Sequence, residues 1–203
     1  MYRERMETLK EWKVSKNRKP LIIRGARQVG KTWLMKEFGK LYYEKFAYIN
    51  FDNNSRMDIL FNEEFDLDRI IQGLKIESGI NIEPENTLII FDEIQETPNA
   101  LKALKYFYEN ANEYHIVAAG SLLGVAIHQG TSFPVGKVNF MDLMPLSFFE
   151  FLDALGQEHL LNLLKNNEFD MISVFNNKYK DYLKLYYYIG GMPEVNQLHG
   201  LRN

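Results

Sequence analysis

Five short runs of β-branched and aromatic residues punctuate the chain, at 21–24, 46–51, 87–91, 114–119 and 138–141. Most are continuously apolar rather than alternating, the pattern of strands covered on both faces, as in a parallel sheet held between helices. The segments between them change period. Leu34, Phe38 and Leu41, then Leu67, Ile70, Ile71 and Leu74, then Leu101, Leu104, Tyr108 and Ala111 recur at helical spacing and predict amphipathic helices. Strands alternating with helices predict an α/β fold, a three-layer sandwich around a five-stranded, mainly parallel sheet.

Helix boundaries carry their own signals. Asp66 is placed to cap a helix that stops near Gly79, and Thr97 offers a capping hydroxyl before Pro98 at a first helical position. Ser147 and Glu150 have capping-box spacing just ahead of the apolar face Phe148, Phe151, Leu152 and Leu155. Beyond Pro145 the pattern holds no further strand; a last helix through Tyr179, Tyr182, Leu183 and Tyr186 is stopped by Gly190, Gly191 and Pro193. The expected organisation is a sheet domain with an N-terminal helix over residues 1–144 and a helical extension over 145–203.

Composition narrows the chemistry. Without cysteine there are no disulfides, thiolate nucleophiles, Fe–S clusters or cysteine-zinc sites, and a reducing compartment is favoured. His115, His128, His159 and His199 include no pair at helical i, i+4 spacing, which disfavours a histidine-built zinc site. A net charge of −3 argues against a surface made wholly for nucleic acid or anionic lipid, while leaving a local nucleic-acid contact open. The longest uncharged apolar stretch, 116–127, falls well short of the ~20 residues that span a bilayer. Residues 1–19 lack the apolar core of a secretory signal, so a cytoplasmic protein without a membrane span is expected.

The informative motif is Gly25-Ala26-Arg27-Gln28-Val29-Gly30-Lys31-Thr32, which matches the phosphate-binding loop pattern between a predicted strand and a predicted helix. Its glycines let backbone N–H groups turn inward around phosphate oxygens. Lys31 supplies charge for the β- and γ-phosphates, and the Thr32 hydroxyl can ligate Mg²⁺. The second half of the constellation is Leu88-Ile89-Ile90-Phe91-Asp92-Glu93, an apolar strand ending in two carboxylates at the edge where open α/β sheets bind ligands. Asp92 is the candidate for holding Mg²⁺, and Glu93 the candidate for accepting a proton from an attacking water. Alone, that acidic pair reads equally well as a cap for the following turn.

Competing phosphate-loop classes are separable. A GTPase would carry Asp-x-x-Gly at the second motif, whereas Gln95 stands three residues after Asp92, and no Asn-Lys-x-Asp guanine reader occurs. A small-molecule kinase excludes water and gains nothing from a water-activating glutamate, so the doublet tilts toward ATP hydrolysis. The strand at 46–51, lying in sequence between the loop strand and the Asp92 strand, is expected to separate them, as in the ATPase branch with an inserted strand. Ser121, after the fourth strand, is a candidate γ-phosphate sensor and equally a plain helix N-cap. A nucleotide-gated binding module without significant turnover remains a distinct reading. The tyrosines at 182, 186, 187 and 188 could stack bases, although at helical spacing they fit core and interface better.

Segments 24–32, 88–95, 119–124, 145–152 and 190–194 together resemble prokaryotic AAA-type P-loop ATPases of poorly defined biological role. The resemblance implies a P-loop NTPase fold, ATP bound by residues 25–32, Mg²⁺ at Thr32 and Asp92, and a catalytic Glu93. Similar proteins continue past the Gly-Gly-Met-Pro segment into a second domain resembling a nuclease fold, whereas this sequence ends at Asn203, so a missing C-terminal domain or a protein partner is expected. Such ATPases usually place a finger arginine late in the sheet domain and another in the helical lid. Residues 70–201 contain no arginine, so very slow turnover is expected. Lys137 and Arg27 are the candidate substitutes, with a solvated strand-edge lysine as the alternative for Lys137.

Overall fold

The computed structural model describes residues 3–62, 65–120, 134 and 136–193. Their contacts divide the chain into two compact units. One holds Glu7–Ala26 and Lys31–Leu143; the other gathers the chain through Met6, Arg27–Gly30 and the chain from Met144 onward.

The larger unit is built on a five-stranded sheet in the order β2-β3-β4-β1-β5. Its strands are β1 (Leu21–Arg24), β2 (Lys45–Asn50), β3 (Thr87–Asp92), β4 (His115–Gly120) and β5 (Asn139–Asp142). Every neighbouring pair is parallel, so all five strands end on the same edge. The central β3 and β4 are buried along their whole length, which is why their sequences read as unbroken apolar runs. Edge strand β2 alternates between buried Ala47 and Ile49 and less buried neighbours. One expectation is corrected by this order. The strand lying between β1 and β3 is β4, and β2, formed from the run expected at 46–51, is the sheet edge, because order along the chain does not fix order across a sheet.

The helices of this unit are α1 (Arg5–Val14, of which Glu7 onward belongs here), α2 (Lys31–Tyr42), α3 (Ser55–Asn62), α4 (Leu67–Ser78) and α5 (Pro98–Asn110). On one side, Phe51, Phe61 and Phe91 meet edge to face or tilted, with centroids 5.3 to 6.1 Å apart, among Ile70, Leu74, Leu101 and Leu104. The caps of α4 are those its sequence predicts: Asp66 Oδ1 accepts from Arg69 N, and Gly79 closes the helix in the left-handed region at φ 69°. Thr97 differs. It stands before Pro98 at the N-cap of α5, yet its hydroxyl donates to Asp58 on α3 rather than capping its own helix, so it ties two helices together.

The other unit is helical, with α6 (Phe148–Ala154), α7 (Glu158–Lys165), α8 (Phe169–Val174) and α9 (Asn176–Ile189). Ser147 and Glu150 form the complete capping box. Glu150 is buried, and its carboxylate is satisfied by Ser147 N, by Glu4 N and by the Arg3 guanidinium at 3.5 Å. Leu152, Leu160, Leu161 and Tyr179 form a small core in which the Tyr179 hydroxyl donates to Leu160 O. Of the four tyrosines considered as base platforms, Tyr182 packs on this core and Tyr186 donates to Leu146 O, while Tyr187 and Tyr188 are exposed. Gly190 ends α9 in the left-handed region, as its sequence predicts.

Candidate functional site

Parallel strands bring the ends of β1, β4 and β3 side by side, and the chain leaves β1 directly into residues 25–32. Within that loop Gln28 at φ 64° and Gly30 at φ 90° turn the backbone through the left-handed region, a conformation cheap for glycine and costly for glutamine. Val29 is buried and anchors the loop, while Ala26, Arg27 and Gln28 are exposed. In the helical unit, a Cβ added at Gly30 would stand 3.5 Å from Pro193 Cγ, so Pro193 lies against this glycine.

Lys31 opens α2 and is buried. Its ammonium donates to Gly25 O at 2.9 Å and to Ala26 O at 2.7 Å, so the charge is folded back into its own loop. Next to it, Thr32 Oγ1 donates to Asp92 Oδ2 at 2.7 Å across sixty residues of sequence. Asp92 ends β3 and is buried. A cation at a helix N-terminus beside a hydroxyl–carboxylate pair is suited to polyanionic phosphate with a hard divalent cation. Among the described residues no cluster of three or more His, Cys, Asp or Glu side chains forms a self-sufficient metal cage.

Glu93 lies one residue beyond the strand at φ 52° and ψ 42°, a left-handed conformation that costs a non-glycine residue on the order of 1 kcal/mol. Its Oε2 accepts from Gln95 Nε2 at 2.7 Å. The alternative of Glu93 as a cap for the next turn finds no support, since its side chain makes no capping bond to the 3₁₀ turn Ile94–Glu96.

One site residue carries no motif. Tyr48 on β2 donates its hydroxyl to Asp92 Oδ2 at 2.9 Å. Burial, then the neighbouring Asp92 carboxylate, hold its phenol well above the ordinary range, so it stays a donor. The only sequence signal was its strand periodicity, because Tyr48 reaches Asp92 through the β2–β3 register that sets Asn50 opposite Asp92. Tyr48 also lines a polar cleft of about 540 Å³ with Asn50, Asn54, Arg56 and Glu77. Ser121 lies outside the described residues; β4, which it follows, runs between the strands carrying the loop and the doublet. Lys137 precedes β5, at the strand end opposite the site, and pairs with Glu109 at 2.8 Å, the behaviour of a strand-edge lysine.

Among solved structures, the Walker-type ATPase PABY2304 of Pyrococcus abyssi aligns with 98% of this chain and 68% of its own at TM-score 0.60 and 15% identity. Drosophila ORC bound to DNA aligns over 89% of this chain and 55% of its own at TM-score 0.54 and 18% identity. At these identities the likeness is one of fold. In sequence, the uncharacterized protein MJ1544 of Methanocaldococcus jannaschii is 26% identical over 175 residues, 86% of this chain, which spans 35% of that relative's length. No helix among the described residues is long and apolar enough to cross a membrane. The AAA domain family matches residues 17–152, from before β1 into α6 and through both halves of the constellation, and the chain belongs to that family.

Proposed function

We propose that this chain binds Mg-ATP and hydrolyses it slowly. The observation that carries the reading is the pairing of Thr32 with Asp92 at 2.7 Å, at the start of the helix whose first residue, Lys31, points its ammonium into the phosphate loop. Lys31 would exchange two backbone carbonyls for phosphate oxygens, a stronger, charge-assisted pairing. Loop N–H groups at the start of α2 would take further phosphate oxygens. Mg²⁺, held by Thr32 and Asp92, would supply charge neutralisation at the β- and γ-phosphates. Glu93 would accept the proton of the attacking water once its carboxylate leaves Gln95.

Two features keep turnover low in this reading. Gln95 holds the glutamate at 2.7 Å, and residues 70–201 offer no guanidinium to the transition state. An arginine there is worth about 10³ to 10⁵ in rate.

Titration calorimetry with Mg-ATP tests the binding: the parent chain should bind and Lys31→Ala should not, and equal affinity would reduce the loop to a structural turn. A steady-state assay at saturating Mg-ATP tests the rate. Turnover is expected below about one per minute, unchanged by Lys137→Ala because Lys137 is engaged with Glu109. Several turnovers per second would refute slow hydrolysis.

A further inference from the structure

Asp92 Oδ2 is a shared acceptor. Thr32 Oγ1 reaches it from α2 at 2.7 Å, and Tyr48 OH reaches it from β2 at 2.9 Å. Two donors use the lone-pair directions of that one oxygen, which leaves Oδ1 as the oxygen turned over to a cation's water shell. Which carboxylate oxygen faces the metal is thus set by two hydroxyls, and they are not equivalent. Thr32 stands among the metal-binding groups, whereas a protonated phenol is a poor ligand for a hard cation, so Tyr48 need not exchange its bond when a cation arrives.

The ring is held in place from above. Lys36 Nζ sits 3.5 Å from the Tyr48 ring centroid, and Lys36 lies one helical turn after Thr32 on α2. The same helix therefore presents Thr32 to the carboxylate and clamps the tyrosine that meets it from the other side. A positive charge over the ring also makes the phenol a stronger donor.

We infer that Tyr48 is a positioning residue for the divalent cation: it fixes the Asp92 carboxylate so that metal affinity, rather than nucleotide affinity itself, depends on it. This rests on the reading of Thr32 and Asp92 as the Mg²⁺-holding pair.

The test separates the two dependences. ATP affinity is measured by calorimetry in EDTA and across a Mg²⁺ titration, for the parent chain, Tyr48→Phe and Lys36→Met, with thermal unfolding as a check on folding. Phenylalanine keeps the ring and its contact with Lys36 and removes only the hydroxyl. Tyr48→Phe should leave affinity in EDTA within about twofold and raise the Mg²⁺ concentration for half-maximal enhancement by about 2- to 12-fold, the cost of ordering on binding a carboxylate that the hydroxyl no longer holds. Lys36→Met should move the same quantity by about two- to fivefold. An unchanged Mg²⁺ requirement in Tyr48→Phe overturns the inference, as does an equal loss of affinity with and without metal. If the parent chain binds ATP without any Mg²⁺ dependence, the reading of Thr32 and Asp92 fails first and the role of Tyr48 fails with it.

Discussion

Thr32 and Asp92 are separated by sixty residues, and their side chains meet at 2.7 Å, hydroxyl to carboxylate. The bond joins the first turn of α2 to the end of β3 and also stabilises the chain before any ligand binds. Thr32→Val keeps the branched shape and leaves the buried carboxylate one donor short. Expected are a loss of about 1–2 kcal/mol in unfolding free energy without ligand and the disappearance of Mg²⁺-enhanced ATP binding. Denaturant titration and calorimetry measure the two effects separately; retention of Mg²⁺ enhancement would remove Thr32 from the cation site.

Glu93→Gln changes one group in the doublet and almost nothing in shape. The amide cannot take a proton from water, so Mg-ATP binding should persist while phosphate release falls at least about tenfold below the parent rate. Single-turnover phosphate release reads this directly. Equal release from mutant and parent would take Glu93 out of the reaction.

Gly39 and Gly73 both lie inside helices, where alanine would ordinarily gain about 1 kcal/mol in propensity. At Gly39 a new Cβ would stand 2.8 Å from Phe46 Cβ, an atom fixed to strand β2, so overpacking costing about 1–3 kcal/mol wins and Gly39→Ala should destabilise. At Gly73 the Cβ would meet the methyl ends of Leu60 at 2.6 Å, which can rotate away, so Gly73→Ala should cost less. Comparing the two denaturation midpoints checks the ranking. The reverse order would mean that α2 can shift off β2 more easily than Leu60 can turn.

His115 begins β4, buried at 4% exposure, with Nδ1 and the Tyr43 hydroxyl 2.7 Å apart. Burial, then the nearby Arg18 and Lys13 cations, push its pKa down to about 4. Because the folded value lies below the unfolded value of about 6.5, its contribution is complete above pH 6.5 and is lost as pH falls toward 4. The loss across that window is at most about 3 kcal/mol. His115→Gln should flatten this part of the stability profile, and a mutant as acid-sensitive as the parent between pH 6.5 and 4 would contradict the assignment.

The sequence by itself determined the elements and the chemistry that rides on local spacing. Continuous apolar runs marked β1, β3 and β4 because both faces of those strands are covered, and the Asp66, Ser147 and Gly190 caps were legible because a cap bonds only a few residues along the chain. Lys31, Thr32, Asp92 and Glu93 stood out because a strand-loop-helix with glycines and a strand ending in carboxylates are local patterns. Tertiary structure alone decided the sheet order, and with it everything that depends on which strands are neighbours. It put β4 rather than β2 beside β1, set Lys137 at the strand end away from the site, and gave Thr97 to Asp58 instead of its own helix. It also brought Tyr48 to Asp92, through a register that no local pattern encodes, because lateral pairing between strands is fixed by packing of the covering helices and not by spacing along the chain.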